Sequence, residues 1–222
     1  MQVACSGDIR TLVDYENYTT VSTANARFCS LFESCKSLTT SPELPATTLA
    51  ESCYEYMFYK CTSLTVAPEL PATTLAESCY ESMFNGCTSL TAAPELPATI
   101  LAKLCYYQMF SGCINLTAAP ELPATALAIS CYREMFHGCT NLTAAPELPA
   151  TTLVNYCYQG MFYGCTNLSS ITMLATNIPA SGGCLSNWVS GVASTGTFTK
   201  ASAATLETGA SGIPEGWTVV NK

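Results

Sequence analysis

The sequence predicts an α/β solenoid of 26-residue units, each a short strand plus a short helix, closed by N- and C-terminal caps. Two observations carry this. Cys53, Cys79, Cys105, Cys131 and Cys157 recur every 26 residues, and so do Cys35, Cys61, Cys87, Cys113, Cys139 and Cys165. The text between them also repeats, as C-Y-x-x-M-F-x-G-C-T-[SN]-L-T-x-A-P-E-L-P-A-T-x-L, clearest from Cys79 to Leu101 and from Cys131 to Leu153. A unit this short cannot enclose its own apolar side, so identical units must stack.

Within a unit, Leu90 to Leu96 is apolar but broken by Pro94 and ended by Pro97. Proline donates no hydrogen bond, so the strand is short, with little ladder. Thr99-Ile100-Leu101 and its equivalents then open a helical stretch, where Thr48 with Glu51 and Thr74 with Glu77 have the spacing of a capping box. Gly86, Gly112, Gly138 and Gly164 stand where a left-handed C-terminal residue would end it. Leu75, Cys79 and Met83 fall at i, i+4 and i+8 on one stripe. The expected core of a unit is Leu64, Leu70, Leu75, Cys79, Met83, Phe84 and Cys87, with ~1.5–3 kcal/mol for each large apolar side chain.

A degenerate first copy begins at Arg27, with Phe28, Leu31, Phe32, Cys35, Leu38, Pro42, Glu43 and Leu44 in register. The last decays after Leu168, and Ile171, Leu174, Ile178 and, after a one-residue insertion, Cys184 hold the frame. Residues 1–26 thus read as an N-terminal cap or the end of a preceding domain, 27–183 as roughly six solenoid units, and 184–222 as a C-terminal cap. In that last segment Trp188, Phe198 and Trp217, separated by Gly and Ser turns, are expected to plug the open end as a hairpin.

Composition narrows the function classes. An apolar share of 49% excludes disorder, and a charged share of 11%, against about 25% in ordinary soluble domains, leaves Thr, Ser, Asn and Tyr to keep the surface wet. The net charge of -8, with eight scattered Lys and Arg, offers no basic stripe for nucleic acid. No run approaches the ~20 apolar residues of a membrane span. The start, Met1-Gln-Val-Ala-Cys-Ser-Gly, lacks the basic and apolar regions of a signal peptide, so the chain is expected to stay inside or to be part of a longer one.

Fourteen cysteines in columns read as buried free thiols. Along a helix Cys79 and Cys87 would lie ~12 Å apart, too far for a disulfide, although a break at Gly86 would shorten this. C-x7-C spacing with one histidine, His137, makes no zinc site. The column Glu43, Glu69, Glu95, Glu121 and Glu147 admits a calcium edge or glycosidase-like acids, but it repeats one environment where an acid–base pair needs two. A solvated charge that guards an edge fits better. The column Tyr54, Tyr80, Tyr106, Tyr132 and Tyr158 reads as half-buried packing beside the core, with a sugar-stacking platform as the alternative. No nucleophile elbow, phosphate loop or Cys/His pair appears, so no enzyme, cofactor or metal is expected.

The text M-F-x-G-C-T-S-L-T-x-A-P-E-L-P resembles the bacterial surface leucine-rich repeats of the BspA-like type, whose core is A-F-x-x-C-x-x-L-x-x-I-x-I-P. The resemblance covers about Arg27 to Ile178 and departs in Met for Ala before Phe, one more residue before the second Pro, and a longer unit. The tail, from Cys184-Leu-Ser-Asn-Trp-Val to Gly212-Ile-Pro-Glu-Gly-Trp-Thr-Val, looks like the C-terminal cap of such proteins from gut Bacteroidetes and their prophages. The resemblance implies a leucine-rich-repeat solenoid at an extracellular surface or on a virion, and no specific ligand.

Comparing units with one another locates the candidate binding residues. T-x-A-P-E-L-P barely changes, whereas the trio of positions opposite Leu, Cys and Met differs in every unit: Glu51, Glu55, Tyr59; Glu77, Glu81, Asn85; Lys103, Tyr107, Ser111; Ile129, Arg133, His137; Asn155, Gln159, Tyr163. Of these, Tyr59, Lys103, Tyr107, Arg133, His137 and Tyr163 are the expected contacts to a host or bacterial surface protein or glycan. The rival readings are neutral drift on a spacer and, from the Glu column, a polysaccharide hydrolase. Because neighbours alone support each unit, deleting Cys79–Leu104 should leave a soluble, folded protein with its circular dichroism retained; aggregation of this variant would defeat the solenoid.

Overall fold

The computed structural model describes residues 2–24 and 27–222, so the boundary expected at residue 26 lies outside the described residues. One side of the solenoid is a parallel sheet whose continuity follows the prolines. β1 (Val3–Ala4) pairs with β2 (Leu38–Thr40). Through the middle units the coils touch there only by single parallel bridges, such as Thr40 with Val66 and Ala92 with Ala118. Each Pro-Glu-Leu-Pro segment removes two donors, which is enough to stop a ladder. β3 (Ala144–Leu148) still contains Pro146, and its register with β4 (Ser170–Met173) slips between Ala144 and Glu147. Beyond it the prolines leave the strands. β4, β5 (Thr197–Lys200) and β6 (Thr218–Asn221) then pair without interruption, giving a four-stranded parallel sheet in chain order.

The expected closing hairpin is therefore absent. β5 and β6 run parallel to β4, each reached by crossing the molecule again, because Gly and Ser turns fix a change of direction but not the partner of the strand that follows. The aromatic plug is present. Trp188 is fully buried, meets Phe198 edge-on at 6.0 Å, and donates its indole N–H to the Gly212 carbonyl at 2.8 Å.

The other side departs from expectation more sharply. Among the described residues there is no α-helix; only short 3-10 turns occur, Ile9–Leu12 and Tyr18–Thr20. Where the helix was expected, each unit makes a chain of tight turns. In one unit the N–H groups of Ser52, Tyr54, Tyr56, Phe58 and Lys60 donate to the carbonyls of Glu77, Cys79, Glu81, Met83 and Asn85 in the next. The intervening N–H groups of Cys53, Glu55, Met57, Tyr59 and Cys61 close turns onto Ala50, Ser52, Tyr54, Tyr56 and Phe58. The alternation recurs in every coil, with inter-coil distances of 2.7–3.2 Å. Every amide from Ser52 to Cys61 thus has a partner, which a polar backbone beside a stacked core requires. The capping boxes vanish with the helix, and Thr74 instead bridges Ile100 in parallel.

Every fourth residue of the turn stretch is left-handed: Ser78 and Ser82 at φ 52, then Gly86 at φ 74. Two side chains point in and two out. Cys79 and Tyr80 are buried, Glu81 faces outward beside the small Ser82, Met83 and Phe84 are buried, and Asn85 and Gly86 face outward before buried Cys87. The period is therefore four. An α-helix advances about 400° in four residues, so Leu75 and Cys87 would diverge by ~120°; the turn chain holds them in line, and both are buried. A non-glycine residue in the left-handed well costs roughly 1–2 kcal/mol, which the inter-coil ladder must outweigh.

The remaining expected core residues, Leu64, Leu70, Cys79, Met83 and Phe84, are buried as read. The tyrosine column is not half-buried. Tyr54, Tyr80, Tyr106, Tyr132 and Tyr158 are each 1% exposed and stack ring on ring at 5.7–6.0 Å, beside a phenylalanine stack at 5.6–5.8 Å. A straight period of four brings the residue after each cysteine of the first column, Cys53 to Cys157, fully inside. Eleven of the fourteen cysteines are buried, and all are free thiols. The second column donates its S–H to the phenylalanine carbonyl one coil back, as from Cys87 to Phe58 and Cys113 to Phe84, each at 3.1 Å.

Burial pushes the thiols of Cys53 and Cys61 up to about 11 and those of Cys157 and Cys165 up to about 12, from an ordinary 9.0. A raised folded-state value means the unfolded chain releases these protons first. Stability is therefore full below pH 9.0 and falls as pH rises toward 11, by up to ~1.4 kcal/mol per pH unit per thiol. A urea midpoint unchanged across that interval would contradict the buried columns. In native protein the exposed Cys29 and Cys35 should react with a thiol reagent, and the eleven buried thiols only after unfolding, without reductant. Gly138→Ala isolates the backbone cost, since its Cβ would come no closer than 4.0 Å to a neighbour while φ is 71. It should lower stability by ~1–2 kcal/mol in denaturant titration.

Candidate binding face

The turn chain fixes which side chains look outward. In each four-residue step the left-handed residue and the one before it lie on the side away from the core, giving the pairs Glu55–Tyr56 and Tyr59–Lys60 in one unit and Tyr107–Gln108 and Arg133–Glu134 in others, while the small Ser78, Ser82, Ser111 and Ser130 at such positions are covered by their neighbours. Stacked units align these pairs in columns, and the columns make one long face.

All six expected residues lie on this face, but they do not form one cluster. The Lys60 ammonium sits 4.9 Å from the centre of the Tyr59 ring, and Tyr56 meets that ring edge-on at 5.5 Å. Lys103 stands apart in a half-exposed ion pair with Glu77 at 2.7 Å; such pairs contribute little to stability. The other four converge. The Arg133 guanidinium lies 5.2 Å from the Tyr107 ring and 5.9 Å from that of Tyr156. His137 stacks on Tyr163 at 4.9 Å with an interplanar angle of 2°. Glu134 stands between these groups, 3.3 Å from Arg133 Nε and accepting a 2.7 Å hydrogen bond from Gln108 Nε2. Burial pushes the Tyr107 phenol above its usual range, with the Glu134 carboxylate adding to the shift and Arg133 opposing it. Two aromatics holding one guanidinium form a rigid, partly desolvated cationic feature of a kind enriched at recognition hot spots.

Sequence reading missed the second member of each pair: Tyr56, Lys60, Gln108, Glu134 and Tyr156. A helical stripe allots about one outward residue per turn, whereas the turn chain allots two. The strict spacing of four from Leu75 through Cys79 and Met83 to Cys87 is the signal that distinguishes the two.

On the opposite side the Pro-Glu-Leu-Pro segments form shallow clefts that repeat with the unit, of about 540, 440 and 300 Å³ along the first four units. Glu43, Glu69, Glu95, Glu121 and Glu147 are exposed there, and Glu147 pairs with Lys222 at 2.7 Å. This face offers nearly the same chemistry in each unit.

Among the described residues no helix is long and apolar enough to cross a membrane. The family model for the BspA type leucine rich repeat region matches residues 28–117 and 95–188, in six copies. Neither the curated proteins nor the solved structures give a match. Repeats of this type are protein-interaction or adhesion modules, typically non-catalytic and typical of surface proteins. With its repeats matched across more than half of its length, the chain belongs to the BspA-type leucine-rich-repeat family.

Proposed function

We propose that the chain recognises a host or bacterial surface protein or glycan, without catalysis, through the outward turn face of residues 27–183, with 1–26 and 184–222 as caps. An extracellular cell surface or a virion is the setting this reading implies. The observation that carries it is the contrast between faces. Core columns and Pro-Glu-Leu-Pro segments repeat almost unchanged, whereas the set of outward residues differs from coil to coil and gathers Tyr107, Arg133 and Tyr156 in one contact. A repeated face suits a repetitive ligand; a varied face discriminates. The backbone beneath is fixed by an inter-coil hydrogen bond at every second amide, so it needs no further ordering on binding.

The test is binding to immobilised surface proteins and glycans. For whichever probe binds, Tyr107→Ala and Arg133→Ala should each weaken it by ~1 kcal/mol or more with little change in melting temperature, while Glu95→Ala and Glu121→Ala should not. The opposite pattern would move recognition to the strand face. Turnover of any glycan probe would contradict the absence of catalysis.

A further inference from the structure

One column of outward left-handed residues reads Tyr56, Ser82, Gln108, Glu134, Gly160 and, after the insertion, Asn187. Five of the six carry side chains at φ between 52 and 54, so the conformation does not demand glycine at position 160. What glycine does there is make room for the Glu134 side chain, whose Cγ lies 2.9 Å from where a Cβ would stand. With Glu134 laid over the glycine, a cleft of about 190 Å³ is left beside it, walled by Glu134, His137, Gln159, Gly160, Tyr163, Ser186 and Asn187. No aliphatic side chain lines it.

The chemistry of the wall narrows the occupant. Glu134 is engaged by Gln108 Nε2 and lies beside Arg133, so its charge is locally balanced and does not call for a cation. Gln159 lines the cleft while its Oε1 is buried with no hydrogen-bond partner, an arrangement that a turn of the side chain toward a ligand hydroxyl would relieve. The Ser186 hydroxyl and the Asn187 amide add groups that donate and accept. The Tyr163 ring borders the cleft with 43% of the residue exposed and is held flat against His137. A peptide anchor would want an apolar floor, and a drug-sized ligand about 300–1,000 Å³. A single ring with hydroxyls around its rim and C–H bonds on its faces matches what is present.

We propose that the cleft at Gly160 is a subsite for one neutral hexopyranose ring of a glycan. The proposal rests on the outward face being the recognition surface and selects, at this position, the glycan over the protein. The ring's hydroxyls meet Glu134, Gln159, Ser186 and Asn187, and its C–H face lies against Tyr163.

The experiment uses the whole chain and the methyl glycosides of glucose, galactose, mannose and N-acetylglucosamine at millimolar concentration, read by saturation transfer and by the ring proton shifts of His137 and Tyr163. At least one glycoside should receive saturation and move both rings. Gly160→Ser places at this position the residue that Ser82 already is in another coil; its Cβ meets only the Glu134 side chain, at 2.9 Å from Cγ, and displaces that side chain toward the cleft. It should weaken binding about tenfold or more with melting little changed. Tyr163→Leu, an outward change, should do the same. No saturation from any glycoside, or equal binding by wild type and Gly160→Ser, overturns the subsite. If an immobilised protein probe loses affinity through Tyr107→Ala and Arg133→Ala while no glycoside moves the rings, the subsite falls and the recognition face stands. If glycosides bind and Gly160→Ser abolishes it while no probe responds to those two changes, the subsite stands and the wider face falls.

Discussion

The structure depends on one hydrogen-bonding rule, the strict alternation by which successive amides of the turn chain bond first to the next coil and then to their own. It sets the period of four, because a left-handed residue must return the chain to the same line after every two turns. It sets the register between units, and therefore the ring-on-ring tyrosine and phenylalanine stacks. It also decides which positions are free to vary. An outward residue meets mainly its equivalents in the adjacent coils, as Ser82 meets Gln108, whereas a change at Cys79, Tyr80, Met83 or Phe84 would break a core column in both directions along the stack.

The same rule accounts for the odd composition. A core built from columns of Cys, Tyr, Met and Phe needs residues that fit above and below copies of themselves. Cysteine is small, apolar and able to give its S–H to a carbonyl otherwise bonded only once, as Cys87 does to Phe58. Tyrosine is less comfortable there. The hydroxyls of Tyr54 and Tyr132 are buried without partners, each at a desolvation cost of about 1–3 kcal/mol. Phenylalanine occupies the neighbouring column at closer spacing and carries no such cost.

Repeat length, stacking, the core columns and the weak proline-broken strands were legible in the sequence, because each depends on spacing or on a single residue's chemistry. The form of the second element was not. A helix and a turn chain both place Leu75, Cys79 and Met83 on one side, and their difference accumulates only over three or four steps, where Cys87 should have drifted and did not. The parallel return of β5 and β6 was hidden for another reason: a strand's text records which side is apolar, not the direction of its neighbour. On the binding face, variation among units pointed to Tyr107, Arg133, His137 and Tyr163. Gly160 carried no signal in isolation and acquires meaning only beside the side chains above and below it.

The turn chain also has a polarity that the sheet lacks. In every coil its inter-coil N–H groups point toward the later coil and its carbonyls toward the earlier one, whereas on the strand side donors and acceptors are mixed along each edge, as Leu75 donating to Ile100 and Thr99 donating to Thr73 illustrate. The aligned peptides add like batteries in series, positive toward the last coil and negative toward the first, as peptide dipoles do along a helix axis. At the late edge two of the outstanding donors are met, Asn187 by the Ser211 hydroxyl and Val189 by the Ala210 carbonyl. Such a stack works as a one-way fastener. Two early edges would confront acceptor with acceptor and two late edges donor with donor, so copies of this chain have no like-to-like closure through the turn side.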